Sequence, residues 1–330
     1  MKTYHKNRLD TDTLSFNDSL DEYLQLYIKF KLKVIEAEQL GLDTLPAFIR
    51  ELDGYRRQLV KPYLTDASVS EQLLKEAYER LKYEVSVSHI LIQADPNDTI
   101  EAYNTILGIR ERIANGEDFV SLAKTFSEDP SVKENNGDLG YFTALYMVYP
   151  FESAAYTTSI GDVSEPVKTR FGYHLLKVND KRQSRGEIKV AHILIKDEDD
   201  SKLMQDNPAE KKIHEIYDSL MMGISFSNLA ERFSDDQKSA RVGGELDWFG
   251  ANKMVQDFEE ASFSLDSIHS VSKPFKTDFG WHIVKLLDKK PLPSFEELKE
   301  SLKKRVERDS RSQKTRNVVI DRLMKEWGLV

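Results

Sequence analysis

Two stretches of this chain repeat five sequence blocks in the same order, and this repeat constrains the fold more than any other feature. Copy one, residues 86–180, contains HILI, LAKTFSED, NGDLGYF, MVYPFE and KTRFGYH. Copy two, residues 189–288, contains HILI, LAERFSDD, GGELDWF, MVQDFE and KTDFGWH. Matching residues are 103 positions apart at the first histidine and 107 or 108 positions apart in the later blocks. This constancy predicts two tandem copies of one module of about 100 residues.

Each copy is predicted to be a small α+β unit. An apolar opening strand, at 85–92 or 189–195, is followed by helical segments, Gly-rich turns, a short strand, a further helix and two closing strands. Because the last strand ends near the start of the first, we expect one compact antiparallel sheet surrounded by helices. The predicted domains are 85–181 and 187–290.

The chain outside the repeats is predicted to be helical. Residues 1–84 form an N-terminal region of three helices, the first opened by a capping-box pattern at Ser15–Asp18 and the second spanning 46–60. Residues 294–330 are predicted to form one long helix that reaches about Met324 and packs with the N-terminal region. Two interpretations of the apolar helix faces stay open: ordinary packing, or an apolar cradle for a client polypeptide.

Composition limits the class of protein. The chain is 40% hydrophobic and 31% charged, and its net charge of −9 argues against nucleic-acid binding. No apolar stretch approaches the roughly 20 residues of a membrane-spanning helix. The absence of cysteine excludes disulfides and thiolate chemistry. The residues after Met1 lack the apolar segment of a signal peptide.

Four of the seven histidines bracket the two copies: His89 with His174, and His192 with His282. The members of each pair are far apart in sequence and have no nearby His or Cys at ligand spacing, so no metal site is predicted. A serine hydrolase would need a nucleophile elbow such as G-x-S-x-G, which is absent. A purely structural role, with the paired histidines hydrogen-bonded in a small core, stays open.

Apolar residues and one aspartate recur around each histidine pair. A methionine and a phenylalanine four positions apart would share one face of a helix. Together with the imidazoles and the aspartate, they would form a mostly apolar pocket with a polar floor, the usual form of a ligand site. The apolar set is Leu139, Met147, Phe151 and Phe171 in copy one, and Leu246, Met254, Phe258 and Phe279 in copy two; the aspartates are Asp129 and Asp236.

These blocks resemble the parvulin (PpiC-type) family of peptidyl-prolyl cis/trans isomerases. The shared features are the opening HIL strand, the F-S-x-D segment, the G-D/E-L turn, the M-x-x-x-F segment and the closing F-G-x-H strand. The order of a helical region, two parvulin-like domains and a C-terminal helix resembles SurA-like periplasmic chaperones, more specifically their Bacteroidetes type.

The resemblance implies a role for each matching residue. The leucines, methionines and phenylalanines would bind the substrate proline ring. Asp129 and Asp236 stand where some parvulins carry cysteine, so covalent catalysis there is excluded, and no cofactor is implied. The residues with an implied catalytic role are His89, Asp129, His174, His192, Asp236 and His282.

The implied function is isomerase and folding-chaperone activity on unfolded outer-membrane or secreted polypeptides that contain X-Pro bonds. The implied location is the periplasm, so we expect the full-length gene to encode a signal peptide and further residues before Met1. The alternative is a non-enzymatic holdase chaperone that keeps the two modules as peptide-binding arms.

Two residues depart from the family pattern, and two loops bear on the class of substrate. Asn136 replaces a usual glycine, a mild change if its backbone is left-handed, because Asn tolerates that conformation. Asp247 replaces another glycine and would cost stability if that backbone needed a positive φ. Copy two is therefore expected to have drifted more. The loops at 93–98 and 196–200 are acidic, which disfavours phosphorylated substrates.

Overall fold

The computed structural model describes residues 16–60, 66–95, 99–197 and 207–329. The predicted capping box at Ser15–Asp18 lies outside the residues whose side chains are described, as do parts of both acidic loops. The chain divides into two compact units. One contains the residues up to Asp66 and those from Arg316 onward, and the other is Ala67–Thr315.

The first unit is helical. It contains α1 (Phe16–Gln39), a short 3-10 turn (Leu42–Thr44), α2 (Pro46–Val60) and the C-terminal helix from Arg316 onward. The bounds of α2 confirm the prediction. No described side chain of α1 or α2 is buried. Large apolar residues are exposed on both helices, so packing does not cover these faces.

The second unit contains copy one. In chain order its elements are α3 (Ala67–Leu81), β1 (Tyr83–Gln93), α4 (Ile100–Ala114), α5 (Phe119–Phe126), α6 (Val132–Asn135), β2 (Asp138–Phe142), α7 (Tyr149–Thr157), β3 (Val167–Thr169) and β4 (Gly172–Gln183). The strands form an antiparallel sheet in the order β2-β1-β4-β3.

Copy two repeats this plan. Its elements are β5 (Glu187–Ile195), α8 (Pro208–Met221), α9 (Phe226–Phe233), α10 (Gln237–Ala240), α11 (Gln256–Phe263), β6 (Phe275–Thr277) and β7 (Gly280–Lys290). The antiparallel sheet has the order β5-β7-β6, and two isolated bridges from β5, to Glu245 and Phe249, stand where copy one has β2. The predicted α+β class, with two small antiparallel sheets flanked by helices, is confirmed.

Both faces of each central strand are buried, and residue parity decides which core a side chain joins. In β1, Ile90 and Ile92 pack against α4 and α5, whereas Val85 and Val87 join the cluster that includes Phe151 of α7. The strand β1 is therefore buried on both faces and separates two hydrophobic cores. The odd-numbered parity places His89 on the α7 face.

The helices that flank the two copies pack against each other within the second unit. Leu73, Leu74 and Ala77 of α3 form one cluster with Leu302 and Val306. One of these helices belongs to the predicted N-terminal region and the other to the predicted C-terminal segment. The cut between the compact units, at Asp66, falls inside the predicted N-terminal region.

The prediction of one long C-terminal helix is wrong. The chain forms α12 (Phe295–Arg308) and α13 (Ser312–Glu326), with a break between them. Asp309 is extended, and its carboxylate accepts the Arg311 backbone N–H and the Arg311 Nε–H, each at 2.8 Å. The break turns the fully buried Arg311 side chain toward Glu152, which helical periodicity alone could not reveal.

The two departures from the glycine pattern have different outcomes. Asn136 has φ 56°, so the expected left-handed backbone is confirmed, and Gly243 of copy two has φ 70°. Gly140 of copy one also has φ 64°. Asp247, at the matching position, is not among the residues with positive φ, so the backbone strain considered for it does not arise.

Candidate functional site

Strand parity brings the two histidines of each copy together. His89 on β1 and His174 on the neighbouring β4 point to the α7 face, where their ring centroids are 5.8 Å apart and nearly parallel. The Phe151 ring meets both edge-on, at 5.7 and 5.3 Å. In copy two, His192 and His282 are 5.9 Å apart. The same trio of rings thus exists twice.

A threonine that sequence reasoning missed holds the second histidine of each pair. Thr169 Oγ1 lies 2.8 Å from His174 Nε2, and Thr277 Oγ1 lies 2.8 Å from His282 Nε2. Each threonine hydroxyl also accepts the backbone N–H two residues later, from Phe171 or Phe279. The signal was available, because the Lys-Thr pair recurs in the last block of both copies.

The aspartate engages its histidine differently in the two copies. Asp236 Oδ2 lies 2.8 Å from His192 Nε2, and Ser239 Oγ lies 3.0 Å from the same nitrogen. In copy one, Asp129 Oδ2 is 3.1 Å from His89 Nε2, but the contact falls outside hydrogen-bond geometry. Asp129 Oδ1 instead accepts the backbone N–H and the hydroxyl of Ser131. Both serines were also missed.

Burial keeps the four imidazoles neutral near pH 7. Burial lowers the pKa of His174 to about 4, helped by His89, and lowers the pKa of His282 to about 4, helped by His192. Burial also lowers the pKa of His89 and of His192, although the neighbouring aspartate opposes this. Nδ1 of each ring is buried and has no hydrogen-bond partner among the described residues.

The aspartates stay ionised. Burial raises the pKa of Asp236, but hydrogen bonds from Ser239 and His192 outweigh it and lower that pKa to about 2. Burial likewise raises the pKa of Asp129, and hydrogen bonds from Ser131 lead to a net lowering. Each site therefore combines neutral rings with one negative charge at neutral pH.

The apolar wall forms as predicted, but not by the predicted helical spacing. Met147 precedes α7 and Met254 precedes α11, so neither shares a helix face with the phenylalanine four residues later. This expectation was wrong because a loop with a left-handed residue, Leu145 or Asn252, precedes each methionine. Both methionines still pack against the cluster that holds their phenylalanine.

In copy two, the predicted residues surround one cavity of about 300 Å³. The lining includes every copy-two residue named from the sequence: His192, Asp236, Leu246, Met254, Phe258, Phe279 and His282. In copy one, Leu139, Met147 and Phe151 lie in one cluster beside the histidines, whereas the exposed Phe171 ring packs under the Arg170 guanidinium.

In copy two, one negative charge of the acidic loop forms an ion pair. Asp197 of the acidic loop is buried and pairs with Lys276 at 2.7 Å, while 198–200 lie outside the described residues.

Within the described ranges, no group of three or more His, Asp or Glu side chains is placed to hold a metal ion. Across the same ranges, no helix has the length and apolar character needed to cross a membrane.

A small antiparallel sheet that presents paired neutral histidines and an edge-on phenylalanine to an apolar pocket defines a parvulin-type domain, here present twice. The family model described as "PPIC-type PPIASE domain" matches residues 72–182 and 175–290. The chain therefore belongs to the PpiC-type peptidyl-prolyl isomerase family.

Relatives extend the likeness beyond the repeats. The chain is 34% identical to "Chaperone SurA" of Idiomarina loihiensis over 69% of this chain and 54% of that protein. It is 31% identical to "Chaperone SurA" of Pseudomonas savastanoi pv. phaseolicola over 88% of this chain and 64% of that protein. The chain thus spans between half and two thirds of the length of these relatives.

Among solved structures, the chain is similar to the peptidylprolyl isomerase PrsA of Bacillus anthracis. The two are 32% identical, with a TM-score of 0.30, over 42% of this chain and 60% of that chain.

Proposed function

We propose that this chain is a peptidyl-prolyl cis/trans isomerase and folding chaperone that acts on unfolded polypeptides. The observation that carries the proposal is the copy-two cavity, where an apolar wall meets two neutral histidines and one ionised aspartate. Family membership supports the isomerase activity, and relatives named as chaperones support the folding role.

The chemistry proposed for this pocket needs no covalent intermediate and no cofactor. The prolyl amide resists rotation because resonance must be broken, and for an ordinary peptide bond the barrier is about 18–20 kcal/mol. Twisting the amide removes its charge separation. An apolar pocket therefore disfavours the planar ground state relative to the twisted transition state, and this difference in binding lowers the barrier.

Each side chain has a proposed role. Leu246, Met254 and Phe258 would hold the proline ring. The His192 and His282 rings, which line the cavity, would orient the substrate carbonyl as the amide twists. Asp236 would fix the orientation of His192 through the 2.8 Å contact. The corresponding residues of copy one would act in the same way.

Copy two is proposed to be the more active module. Its aspartate, serine and histidine form a hydrogen-bonded set, whereas the contact between Asp129 and His89 in copy one falls outside hydrogen-bond geometry. A fixed imidazole loses less orientational freedom when the substrate twists. This geometry favours the opposite ranking to the one expected from Asp247.

The proposed clients are outer-membrane or secreted polypeptides with X-Pro bonds, and the proposed location is the periplasm. Both proposals rest on the likeness to SurA-like chaperones. The alternative is a holdase chaperone without catalysis, which is favoured by the exposed apolar faces of α1 and α2, including Tyr27, Phe30 and Phe48.

A protease-coupled tetrapeptide assay tests the proposal. Replacing Met254 and Phe258 with alanine is expected to remove more than half of kcat/KM, because the proline ring loses two walls of its pocket in the more active module. The double replacement of Met147 and Phe151 should remove the smaller share that comes from copy one. Near-UV circular dichroism confirms that both variants remain folded.

The exposed Val242→Ala is the matched control and should retain the parental rate. A parental chain that is no faster than the uncatalysed reaction, yet suppresses client aggregation, would replace the enzyme proposal by the holdase alternative.

A further inference from the structure

One buried carboxylate holds the loop that carries the pocket methionine of copy two. Glu259 is 4% exposed and follows Phe258 on α11. Its Oε1 accepts the backbone N–H groups of Lys253 and Met254 at 2.7 and 2.9 Å, and its Oε2 accepts that of Asn252 at 3.1 Å. Three consecutive backbone donors are therefore satisfied by one side chain.

The loop needs such an acceptor because its backbone leaves regular structure. Asn252 has φ 60°, and α11 begins only at Gln256, so Lys253 and Met254 belong to no helix or strand. Unpaired buried N–H groups are costly. A carboxylate offers two acceptor oxygens and no donor, so it can bind three converging N–H groups where an amide cannot.

Copy one has the same glutamate but a different set of partners. Glu152 is fully buried, and its Oε2 accepts the Leu145 N–H at 2.7 Å, from a residue with φ 67°. Its remaining capacity is taken by two guanidinium groups, Arg80 at 2.9 Å and Arg311 at 2.7 Å. These arginines come from α3 and from the break between α12 and α13, both outside the repeat.

We propose that Glu259 and Glu152 are the positioning residues of the two pockets, each setting the loop that presents Met254 or Met147. The anchor of copy two is complete within its own repeat. The anchor of copy one depends on Arg80 and Arg311, and therefore on the helical segments that flank the repeats. This inference rests on the proposed function, because it assigns these glutamates to the proline pocket.

The test of copy two uses the full chain with copy one silenced by Met147→Ala and Phe151→Ala. Glu259→Gln keeps the side-chain volume but turns an NH2 group toward backbone donors. We expect kcat/KM to fall at least tenfold. The amide resonances of Lys253 and Met254 should move upfield in ¹⁵N–¹H spectra as their bonds to the carboxylate are lost.

The matched control is Glu245→Gln, an exposed carboxylate of the same copy that pairs with Lys189. It should leave both readouts unchanged. Unmoved Lys253 and Met254 resonances, or a kcat/KM within twofold of the silenced parent, would overturn the positioning role.

The two proposals fail in different ways. If the parent chain has no isomerase activity, the proposed function is wrong. The positioning role is then tested by titrating the chain with a proline-containing tetrapeptide and following the shift of the Met254 methyl resonance. A titration response that Glu259→Gln leaves unchanged overturns it, and a weakened response supports it.

The test of copy one uses the full chain with copy two silenced by Met254→Ala and Phe258→Ala. Arg80→Met is then introduced into this chain. We expect kcat/KM of copy one to fall at least fivefold. In a chain with copy two intact, the same Arg80→Met should leave the Met254 amide resonance in place. A copy-one rate that ignores the loss of Arg80 would contradict the dependence on the flanking helices.

Discussion

Glu152→Ala is expected to lower the free energy of unfolding of the Ala67–Thr315 unit by about 3–5 kcal/mol, the range for breaking a buried ion pair from one side. The Arg311 side chain is fully buried, and Glu152 is one of its two carboxylate partners. Removing that carboxylate leaves a guanidinium charge under-compensated away from water. It also leaves the Leu145 N–H without its acceptor.

Urea unfolding followed by far-UV circular dichroism measures this loss. The matched control is Glu165→Ala, which removes a largely exposed carboxylate from its pair with Arg110 and should cost less than about 1 kcal/mol. Replacing Glu152 and Arg311 together by leucine should cost less than Glu152→Ala alone, because the fully buried guanidinium is removed together with its partner. Equal losses for Glu152→Ala and Glu165→Ala would contradict the assigned burial.

Stability is also expected to fall as the pH drops from about 6.5 toward 4. His174 and His282 have a pKa of about 4 in the folded chain, against 6.5 for an unperturbed histidine. In this window the unfolded chain binds protons that the folded chain excludes, so acid favours unfolding. At about 1.4 kcal/mol per pKa unit, each of these two histidines accounts for about 3 kcal/mol.

The measurement is a series of urea titrations between pH 7 and pH 4.5. His174→Asn combined with His282→Asn should flatten the pH dependence, and His214→Asn, on the exposed face of α8, should leave its slope unchanged. Ionisation of Asp236 does not confuse this window, since its pKa of about 2 places its titration at lower pH. A double variant with the parental pH dependence would show that the buried pairs do not control it.

Much of the fold follows from the repeat, because five blocks with fixed spacing leave little choice of element order. The apolar alternation of 85–92 was sufficient to predict the strand that carries His89, and recurrence was sufficient to pair it with His174. Met147 and Met254 lie beside the histidines but were placed on the wrong element. A four-residue spacing also fits a loop followed by a helix, and no local pattern distinguishes the two.

The missed residues share a physical reason. Thr169, Ser239 and Glu259 act through hydrogen bonds to groups that are distant in sequence or on the backbone, and such bonds leave no hydrophobic period. The helix break at Asp309 was missed for the same reason. No apolar residue lies between Val306 and Val318, so hydrophobic spacing carries no information about this segment. The burial of Arg311 against Glu152 accounts for the turn.

The partners of the two buried glutamates also imply an order of assembly during synthesis. Glu259 meets its backbone donors five to seven residues away, so copy two can close its methionine loop as soon as that segment has emerged. Glu152 and Arg311 are 159 residues apart. Contacts over long separations form late, because a large chain loop must close first. The module made first therefore completes its anchor only after the segment that carries Arg311 has been synthesised.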